Sequence, residues 1–376
     1  MTASISIKLT NNSYNVNVYN NLNDSLTSFE AFFINKKVIF IIDKNLSSEI
    51  YSPYKEIINK IAKESHIIIS PFEGEENKTY QAFEYFCEAI LNLHPNRKNT
   101  IITIIGGGAV GDAANFSASC CLRGLDVIRI PTTLLSMVDS SVGGKVAINS
   151  KTLKNMIGAF AQPKAVFCDI SFLSSLSKKE LMSGYAELLK HALIFDKELF
   201  EELEKNINIW HGTLAQHSEW LIKIIAQSIK IKYHFIKDDE FDLNGNRAIV
   251  NFGHTVGHAI EKGSKKHYLH GEAVAMGMYI EAKIAEDLGL LNKNIPQKIR
   301  EHLKKANLWN LDFLETQPEY LMQLMSDDKK IELDKTVKIG NFYCKANIPL
   351  ICLTDIGSAH LKLDTDHKTV LKNLMC

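Results

Sequence analysis

The sequence lacks an excess of charge of either sign, because its 43 lysines and arginines equal its 43 aspartates and glutamates. Without net charge the chain has no overall field to attract nucleic acid or an anionic lipid surface, so any anion site must come from local clustering. It also lacks an apolar run of the roughly 18 residues that a membrane-spanning helix needs. The first residues, MTASISIKLTNNSYN, form a polar strand pattern rather than a secretory signal. We therefore expect a protein that binds neither nucleic acid nor membrane.

Cysteine is also scarce, and none of the seven cysteines stands in a CxxC spacing. An odd number without paired spacing is typical of reduced, mostly buried thiols rather than of a disulfide framework or a cysteine-ligated metal. This pattern predicts a cytoplasmic protein. Apolar residues make up 45% of the chain, which is enough for a sizeable core, and the 376 residues suit two domains better than one.

Short apolar runs alternate with helical patterns in the first half of the chain. Strands are predicted at residues 38–43, 66–70, 100–105 and 126–130, and helices at 80–93 and 109–121. This alternation predicts a parallel, Rossmann-like α/β sheet with ligands at the carboxyl ends of its strands. After about Leu176 the strand patterns nearly vanish, and helices are predicted at 178–191, 218–237, 254–262, 271–288 and 296–306. We expect an α/β dinucleotide-binding domain (1–176) and an all-α metal- and substrate-binding domain (177–376), with residues 335–353 left ambiguous.

Three consecutive glycines, residues 106–108, separate a predicted strand from the helix that follows it. A turn without side chains exposes backbone N–H groups and the positive end of the helix to a phosphate. The loops beyond it place Arg123, Asp139, Lys145 and Lys154 among glycines and hydroxyl side chains. The pattern predicts a dinucleotide site beside a cationic pocket.

One glutamate and two histidines, Glu187, His254 and His270, are candidate zinc ligands. His254 and His258 are four residues apart on one predicted helix face, and Glu187 lies three residues before Lys190. Two imidazoles and one carboxylate leave coordination positions open, as in a catalytic zinc site. The alternatives are an ordinary surface pair of Glu187 with Lys190 and histidines that cap a helix or fill the core.

Lys232 lies on the apolar face of the predicted helix 218–237, because it follows Leu221, Ile225 and Ile229 at helical spacing. An inward-facing lysine is unfavourable unless an anion meets it, and the alternative is that its long stem reaches water. If the fold brings six cations of this chain into one cleft, that cleft would suit a substrate that carries both a phosphate and a carboxylate. These cations are Arg123, Lys145, Lys154, Lys190, Lys232 and Arg247.

Taken together, the motifs resemble those of the 3-dehydroquinate synthase family, the NAD- and zinc-dependent sugar-phosphate cyclases of the shikimate pathway. The resemblance covers about residues 38–330, with every motif in family order: GEENKT, GGGAVGD, LRG, PTTLL, VDSSVGGK, KNMIGAF, GYAELLK, NFGHTVGHAIE, HGEAVAMGM and DDKK. The chain departs from the family pattern at Asn115, at Val146 and in the spacing of residues 335–353.

The resemblance implies a role for each matched residue. It implies that zinc, with cobalt as a substitute, binds Glu187, His254 and His270. For NAD it implies Asp43, Glu75, Lys78, Gly107, Gly108, Asp112, Thr132 and Thr133, together with Asp139, Lys145 and Lys154. For catalysis and substrate binding it implies Arg123, Asp139, Lys145, Lys154, Asn155, Lys190, Lys232, Arg247, Asn251 and His258, with Lys329 favoured over Lys330.

The implied reaction converts 3-deoxy-D-arabino-heptulosonate 7-phosphate to 3-dehydroquinate and phosphate. It proceeds by transient oxidation with NAD, elimination of phosphate, reduction and intramolecular aldol closure. Three alternatives stay open, namely a sister cyclase acting on another sugar phosphate, a metal-dependent polyol dehydrogenase and an inactive homologue. The retention of Arg247, Asn251 and His258 favours a substrate with a carboxylate. The expected partners are this phosphorylated keto acid and a second copy of the chain in a homodimer.

Overall fold

The computed structural model describes residues 2–10, 12–151, 153–328 and 336–375. The chain divides into two compact units. The first comprises Met1–Leu176 and Thr213–Phe241, and the second comprises Ser177–Gly212 and Asp242–Cys376. The sequence places residues 213–241 in the second domain, whereas in the structure they cluster with the first unit. The units differ from the predicted domains in this one segment.

The first unit contains the parallel sheet. Its strands are β1 (Thr2–Lys8), β2 (Ser13–Tyr19), β3 (Lys37–Ile42), β4 (Glu64–Ile69), β5 (Thr100–Gly106), β6 (Asp126–Pro131), β7 (Lys145–Ile148), β8 (Ile157–Phe160) and β9 (Ala165–Asp169). Among the described residues, seven strands form one sheet in the order β1-β2-β9-β6-β5-β3-β4, and β7 and β8 form a separate antiparallel hairpin. Within the sheet β1 is antiparallel to β2 and the other neighbouring pairs are parallel. The predicted α/β fold is confirmed.

Sequence and burial agree most closely in the middle of this sheet. Every residue of β5 (TIITIIG) is buried, and so is β3 from Val38 to Ile42. A strand covered on both faces has no solvent side on which polar residues are favoured, so it forms a continuous apolar run. This is why the central strands could be recognised from short apolar segments.

The helices of the first unit are α1 (Leu26–Glu30), α2 (Ser48–Ile61), α3 (Tyr80–Asn92), α4 (Gly108–Cys120) and α7 (Ser218–Ile236). Those of the second unit are α5 (Lys178–Phe195), α6 (Lys197–Lys205), α8 (His254–Gly263), α9 (His270–Asp287), α10 (Asn294–Lys305), α11 (Pro318–Asp328) and α12 (His367–Leu374). Within the described part of the chain, no helix combines the length and apolar character that crossing a bilayer requires.

The helix α7 belongs to the first unit because it packs against β1 at the edge of the sheet. The Tyr233 hydroxyl accepts a hydrogen bond from the Lys8 backbone N–H at 3.2 Å and donates one to the Lys8 carbonyl at 3.1 Å. Tyr233 thus satisfies two backbone groups that the edge strand leaves unpaired. A helical pattern shows which face of a helix is apolar, but it does not show which core that face joins.

The second unit is mostly helical rather than all-α. Its strands are β10 (Thr336–Ile339), β11 (Phe342–Lys345), β12 (Asn347–Asp355) and β13 (Ser358–Asp366), which pair as two antiparallel hairpins. The strands β10 and β11 and most of β12 lie within the stretch that the sequence left ambiguous, and β13 lies beyond it. Residues 348–353 form an unbroken buried run, and such a run does not distinguish a strand from a buried helix segment. The expectation of an all-α domain is therefore corrected to a helical unit with two hairpins.

A buried histidine in this unit is expected to make folding stability depend on pH. His302 of α10 is 1% exposed and lies 2.6 Å from the Tyr185 hydroxyl through Nε2, and its burial lowers the pKa to about 4. Between pH 6.5 and pH 4 the unfolded chain takes up a proton that folded His302 does not, so stability falls by up to ~3 kcal/mol as the pH drops. We expect His302→Gln to flatten the Tm profile in this window. His267→Gln, at an exposed site, serves as control, and parallel profiles of wild type and His302→Gln would contradict the assignment.

Candidate active site

The predicted dinucleotide residues of the first unit meet at the carboxyl edge of the sheet. A Cβ built on Gly107 would lie 3.2 Å from Thr133 Cγ2, and one on Gly106 would lie 3.1 Å from the Cβ of Asp43. The Thr132 backbone N–H donates to the Gly106 carbonyl at 3.1 Å, which joins the ends of β5 and β6. The turn therefore brings bare backbone, two hydroxyls and a carboxylate together at the N-terminus of α4, an arrangement suited to a nucleotide phosphate and ribose.

Lys78 and Asp112 form an ion pair beside this turn. Their charged atoms are 2.8 Å apart, and the side chains are 7% and 15% exposed. Lys78 follows the short helix Gly74–Asn77, which is held because the Asn77 amide donates to the carbonyls of Phe72 and Gly74. The other oxygen of Asp112, Oδ1, is buried and has no hydrogen-bond partner among the described residues. A hydroxyl or amide of a bound nucleotide could donate a hydrogen bond to this acceptor.

Lys232 faces inward, as its position on the apolar face of α7 predicts. It is 6% exposed, and its ammonium lies 2.8 Å from Asp139 Oδ1 and also donates to the Asp139 backbone carbonyl. Asp139 belongs to the short π-helical turn Ser136–Ser140, which follows the PTTLL segment. The alternative in which the lysine stem reaches water is thereby excluded, and the pair joins two residues that the resemblance assigns to substrate.

The remaining predicted cations of the first unit lie on the β7–β8 hairpin. Lys145 begins β7, whereas Lys154 and Asn155 lie in the connection between the strands, and all three are exposed. Asn149 was not singled out by its sequence and joins this connection to the loop before α3. Its Nδ2 donates to Glu75 Oε1 at 2.9 Å, and its Oδ1 accepts from the Asn155 backbone N–H at 2.9 Å. The hairpin and the Glu75–Lys78 loop are therefore held as one surface.

Arg123 is not brought to this edge of the sheet. It lies just past the C-terminal end of α4, whereas Gly108 is the first residue of that helix. At 1.5 Å per residue the two are about 20 Å apart, and Arg123 is exposed. Within the first unit Arg123 is thus separate from the other predicted substrate residues, and its role stays a prediction.

A cavity that no predicted site residue lines lies elsewhere in the first unit. Its volume is about 390 Å³, and Tyr54, Asp169 and Phe172 are among its lining residues. The Tyr54 hydroxyl donates to Asp169 Oδ2 at 2.7 Å, and burial raises the pKa of Asp169 despite this bond. The sequence did not predict this cavity, because a single aspartate at the end of a strand is not a recognisable motif.

In the second unit, three helices place the predicted metal ligands. Glu187 lies in α5, and His254 and His270 are the first residues of α8 and α9. The start of α9 contacts α5 directly, because a Cβ on Gly271 would lie 2.0 Å from the Ser183 carbonyl oxygen and the Gly271 N–H donates to Ser183 Oγ at 2.9 Å. Ser183 is one turn before Glu187, so this contact brings His270 to the carboxylate.

The three candidate ligand atoms converge. Glu187 Oε1 is 3.6 Å from His254 Nε2 and 3.6 Å from His270 Nε2, and the three atoms lie within 4.8 Å of one another. A tetrahedral Zn²⁺ with bonds of 2.0–2.1 Å separates its ligand atoms by about 3.4 Å. Oε1 of Glu187 is also buried without a hydrogen-bond partner among the described residues. The spacing, the donor set and the unsatisfied oxygen all fit a divalent metal ion.

The other ring nitrogens of both histidines are already engaged. His254 Nδ1 lies 3.1 Å from the Phe252 carbonyl, and His270 Nδ1 lies 3.4 Å from Glu261 Oε2. Acceptors at Nδ1 place the proton there and leave Nε2 as the lone-pair donor, which is how protein partners orient metal-ligating histidines. Glu261 was not singled out by sequence reasoning, although it ends the NFGHTVGHAIE motif.

The electrostatics of the cluster favour a positive charge beside Glu187. Burial alone would raise the pKa of Glu187, but Lys190, His254 and His270 hold it well below its usual range. Burial and Lys190 lower the pKa of His254, which keeps that imidazole neutral. Burial opposes protonation of His270, yet Glu187 and Glu261 raise its pKa to about 10. A metal ion at Nε2 would replace the proton on that nitrogen and meet Glu187, while Glu261 stays at Nδ1.

The predicted substrate residues of this unit lie around the same helices. Lys190 is 1% exposed and its ammonium contacts Glu187, so the pair is buried rather than an exposed surface pair. The His258 ring centroid is 5.3 Å from that of His254 and 5.9 Å from that of His270. Arg247 and Asn251 lie on the short helix Arg247–Asn251 that precedes α8, and Arg247 is 2% exposed. Lys329 lies outside the described residues.

Two family models together match residues 68–331 of this chain. The model described as 3-dehydroquinate synthase N-terminal matches residues 68–183, and the one described as 3-dehydroquinate synthase C-terminal matches residues 184–331. A 3-dehydroquinate synthase of Prochlorococcus marinus (strain MIT 9312) is 40% identical over 342 residues, which are 88% of this chain and 91% of the relative. One from Clostridium tetani (strain Massachusetts / E88) is 35% identical over 364 residues, 96% of this chain and 91% of the relative.

Solved structures give a consistent picture of the fold. A crystal structure of 2-deoxy-scyllo-inosose synthase complexed with carbaglucose-6-phosphate, NAD⁺ and Co²⁺ matches with a TM-score of 0.85 and 27% sequence identity. The match covers 99% of this chain and 99% of that chain. The predicted combination of a parallel-sheet α/β unit with a mostly helical unit is therefore confirmed.

Proposed function

The chain belongs to the 3-dehydroquinate synthase family, and from this premise we propose that it is an NAD- and metal-dependent lyase. Its proposed substrate is 3-deoxy-D-arabino-heptulosonate 7-phosphate, which it converts to 3-dehydroquinate and phosphate. The observation that carries the proposal is the convergence of Glu187, His254 and His270 within 4.8 Å, with the unsatisfied Oε1 of Glu187 at the centre. The chemistry of that donor set suits a catalytic ion with open coordination positions.

The second unit would hold the metal ion, Zn²⁺ or Co²⁺. Glu187 would donate Oε1, and the two histidines would donate Nε2 while their Nδ1 atoms stay hydrogen-bonded to Phe252 and Glu261. Lys190 compensates the charge of Glu187, since the pair is buried and in contact. Lys190, Arg247, Asn251 and His258 are proposed to bind the substrate.

The first unit would hold NAD. The N–H groups at Gly107 and Gly108 would bind the pyrophosphate, because the N-terminus of α4 favours negative charge. The other proposed contacts are Asp43, Glu75, Lys78, Asp112, Thr132 and Thr133. From this unit Asp139, Lys145, Lys154, Asn155 and Lys232 are proposed to bind the substrate, with Asp139, Lys145 and Lys154 shared with the cofactor.

Bound NAD⁺ would reversibly accept a hydride from the carbon that bears a substrate hydroxyl, whose proton is released, and a bound metal ion would polarise substrate oxygens. The side chains contribute orientation and charge. Asp139 holds the ammonium of Lys232 at 2.8 Å, so this cation is directed before substrate arrives and little reorganisation is needed as charge develops. Lys145 and Lys154 are exposed and suit the dianionic phosphate that is eliminated.

The experiment that tests the proposal measures phosphate release and absorbance at 340 nm together. With 3-deoxy-D-arabino-heptulosonate 7-phosphate, NAD⁺ and Zn²⁺, we expect phosphate release that requires both cofactors without net accumulation of NADH, because the hydride is returned. Stoichiometric NADH would instead identify a polyol dehydrogenase. Absence of phosphate release, with both cofactors shown to be bound, would overturn the proposed reaction.

Two further points belong to this proposal. The first is that the chain forms a homodimer, and light scattering on the purified protein would test it. The second is a cytoplasmic location, which is supported by the absence of disulfides among the described cysteines. Fractionation of cells that express the protein would test the location.

A further inference from the structure

A buried carboxylate outside the candidate site, Glu281 of α9, contacts the helix that begins with one of the proposed metal ligands, His254. Glu281 is 0% exposed and lies three turns after His270. Its Oε2 accepts from the Gly253 N–H at 2.9 Å, and its Oε1 accepts from the Val256 N–H at 3.3 Å. These two donors lie on either side of His254, at the N-terminus of α8.

The N-terminus of α8 needs such an acceptor because its own cap residue has no side chain. The first N–H groups of a helix have no partner within the helix, and a serine, threonine, aspartate or asparagine at the cap usually accepts from one of them. Here the cap residue is Gly253, whose φ is +77°. A Cβ at this position would lie 2.8 Å from the Val274 carbonyl oxygen and 2.8 Å from the Met278 backbone nitrogen. A conventional cap side chain is therefore excluded by the packing of α9.

Glu281 performs the function of a cap from the neighbouring helix. Its negative charge lies at the positive end of α8, where it is stabilising, and its two oxygens fix two backbone groups of the first turn. The same helix α9 begins with His270, so Glu281 fixes the start of α8 relative to the element that supplies the other imidazole. The backbones of α8 and α9 are also in contact, since a Cβ on Gly277 would lie 1.9 Å from the Gly253 carbonyl oxygen.

We propose that Glu281 is a positioning residue of the metal site, which sets the place of His254 relative to His270 and thereby the affinity for the metal ion. The inference rests on the proposed function, because it requires that these histidines bind metal. Glu281 itself does not contact the ion. It acts through the first turn of α8, in the way that outer partners of metal ligands commonly affect affinity by 10- to 100-fold.

The test compares metal binding by Glu281→Gln and wild type in the full chain. Glutamine keeps the shape of the side chain but has one acceptor oxygen instead of two and no charge. We expect the Kd for Zn²⁺, measured by competition with a chromophoric chelator, to rise about 10- to 100-fold. The visible absorption spectrum of the Co²⁺-loaded protein should also change, because the geometry around the ion changes.

Two controls separate positioning from general stability. Glu286→Gln, on the same helix and in an ion pair with Lys283, should leave the Kd and the Co²⁺ spectrum unchanged. Ile299→Val, at a fully buried position of α10, should lower the Tm of the metal-free protein but leave the Kd unchanged. If Ile299→Val weakens Zn²⁺ binding as much as Glu281→Gln does at equal loss of Tm, Glu281 is only a structural residue.

A second variant covers the case in which Glu281→Gln does not fold. Glu281→Asp keeps the charge and both oxygens but withdraws them by one methylene, and we expect a smaller increase in Kd than for glutamine. Wild-type affinity and an unchanged Co²⁺ spectrum in whichever variants fold would overturn the inference. Failure of the wild-type protein to bind either metal would instead contradict the proposed metal site, so the two failures are distinguishable.

Discussion

Replacement of His270 by alanine is expected to remove the metal ion and about 1,000-fold or more of the activity while the fold persists. The ion is proposed to stabilise charge that develops on substrate oxygens, a contribution of several kcal/mol, and about 4 kcal/mol corresponds to 1,000-fold. The His270 side chain is 30% exposed at the start of α9, so its loss should affect packing little. The measurements are metal content of the purified protein, phosphate release and Tm without metal.

His270 is a better test position than Glu187. Glu187 is fully buried against Lys190, and its removal would leave a buried ammonium without its partner, which destabilises proteins by about 3–5 kcal/mol. A loss of activity in a Glu187 variant would therefore mix metal loss with unfolding. His267→Ala, three residues before His270 and exposed, is the control and should keep both metal and activity. Full activity of metal-free wild-type protein would contradict the metal assignment.

The sequence predicted those features that local pattern determines. The buried strands β3 and β5 are continuous apolar runs, and the helix with Lys232 has an apolar face that this lysine interrupts. For Lys232 the choice between an inward and an outward ammonium was open in the sequence, and the structure resolves it by the contact with Asp139. For β3 and β5 the neighbours in sequence therefore determine burial, whereas the environment of Lys232 depends on Asp139, 93 residues away.

Other features depend on partners that are distant in sequence, and they could not be predicted. Tyr233 joins α7 to β1 across 225 residues, so the helix belongs to the first unit although the segments on either side of it belong to the second. Glu281 contacts the start of α8 from 28 residues away, and an isolated glutamate within an apolar helix is not a recognisable motif. Arg123 matched a family motif, yet the whole length of α4 separates it from the glycine turn.

The second large effect is expected at Arg247, and it distinguishes a carboxylated substrate from other sugar phosphates. The planar guanidinium can pair with both oxygens of a carboxylate, and a charge-assisted hydrogen bond contributes about 1.5–3 kcal/mol. We therefore expect Arg247→Ala to lower kcat/KM for 3-deoxy-D-arabino-heptulosonate 7-phosphate by about 10- to 150-fold. Arg247→Lys should recover only part of this loss, because a point charge does not reproduce the two parallel bonds.

The comparison between substrates decides what Arg247 recognises. Sedoheptulose 7-phosphate has no carboxylate, so Arg247→Ala should hardly change its kcat/KM or, where turnover is too slow, its inhibition constant. The preference of the wild-type enzyme for the keto acid should thus fall in the variant by the same 10- to 150-fold. Equal losses on both substrates would mean that Arg247 supports the fold or the phosphate rather than the carboxylate. Equal turnover of both substrates by the wild-type enzyme would place the chain with a sister cyclase, because an enzyme that reads the carboxylate must discriminate against a substrate without it.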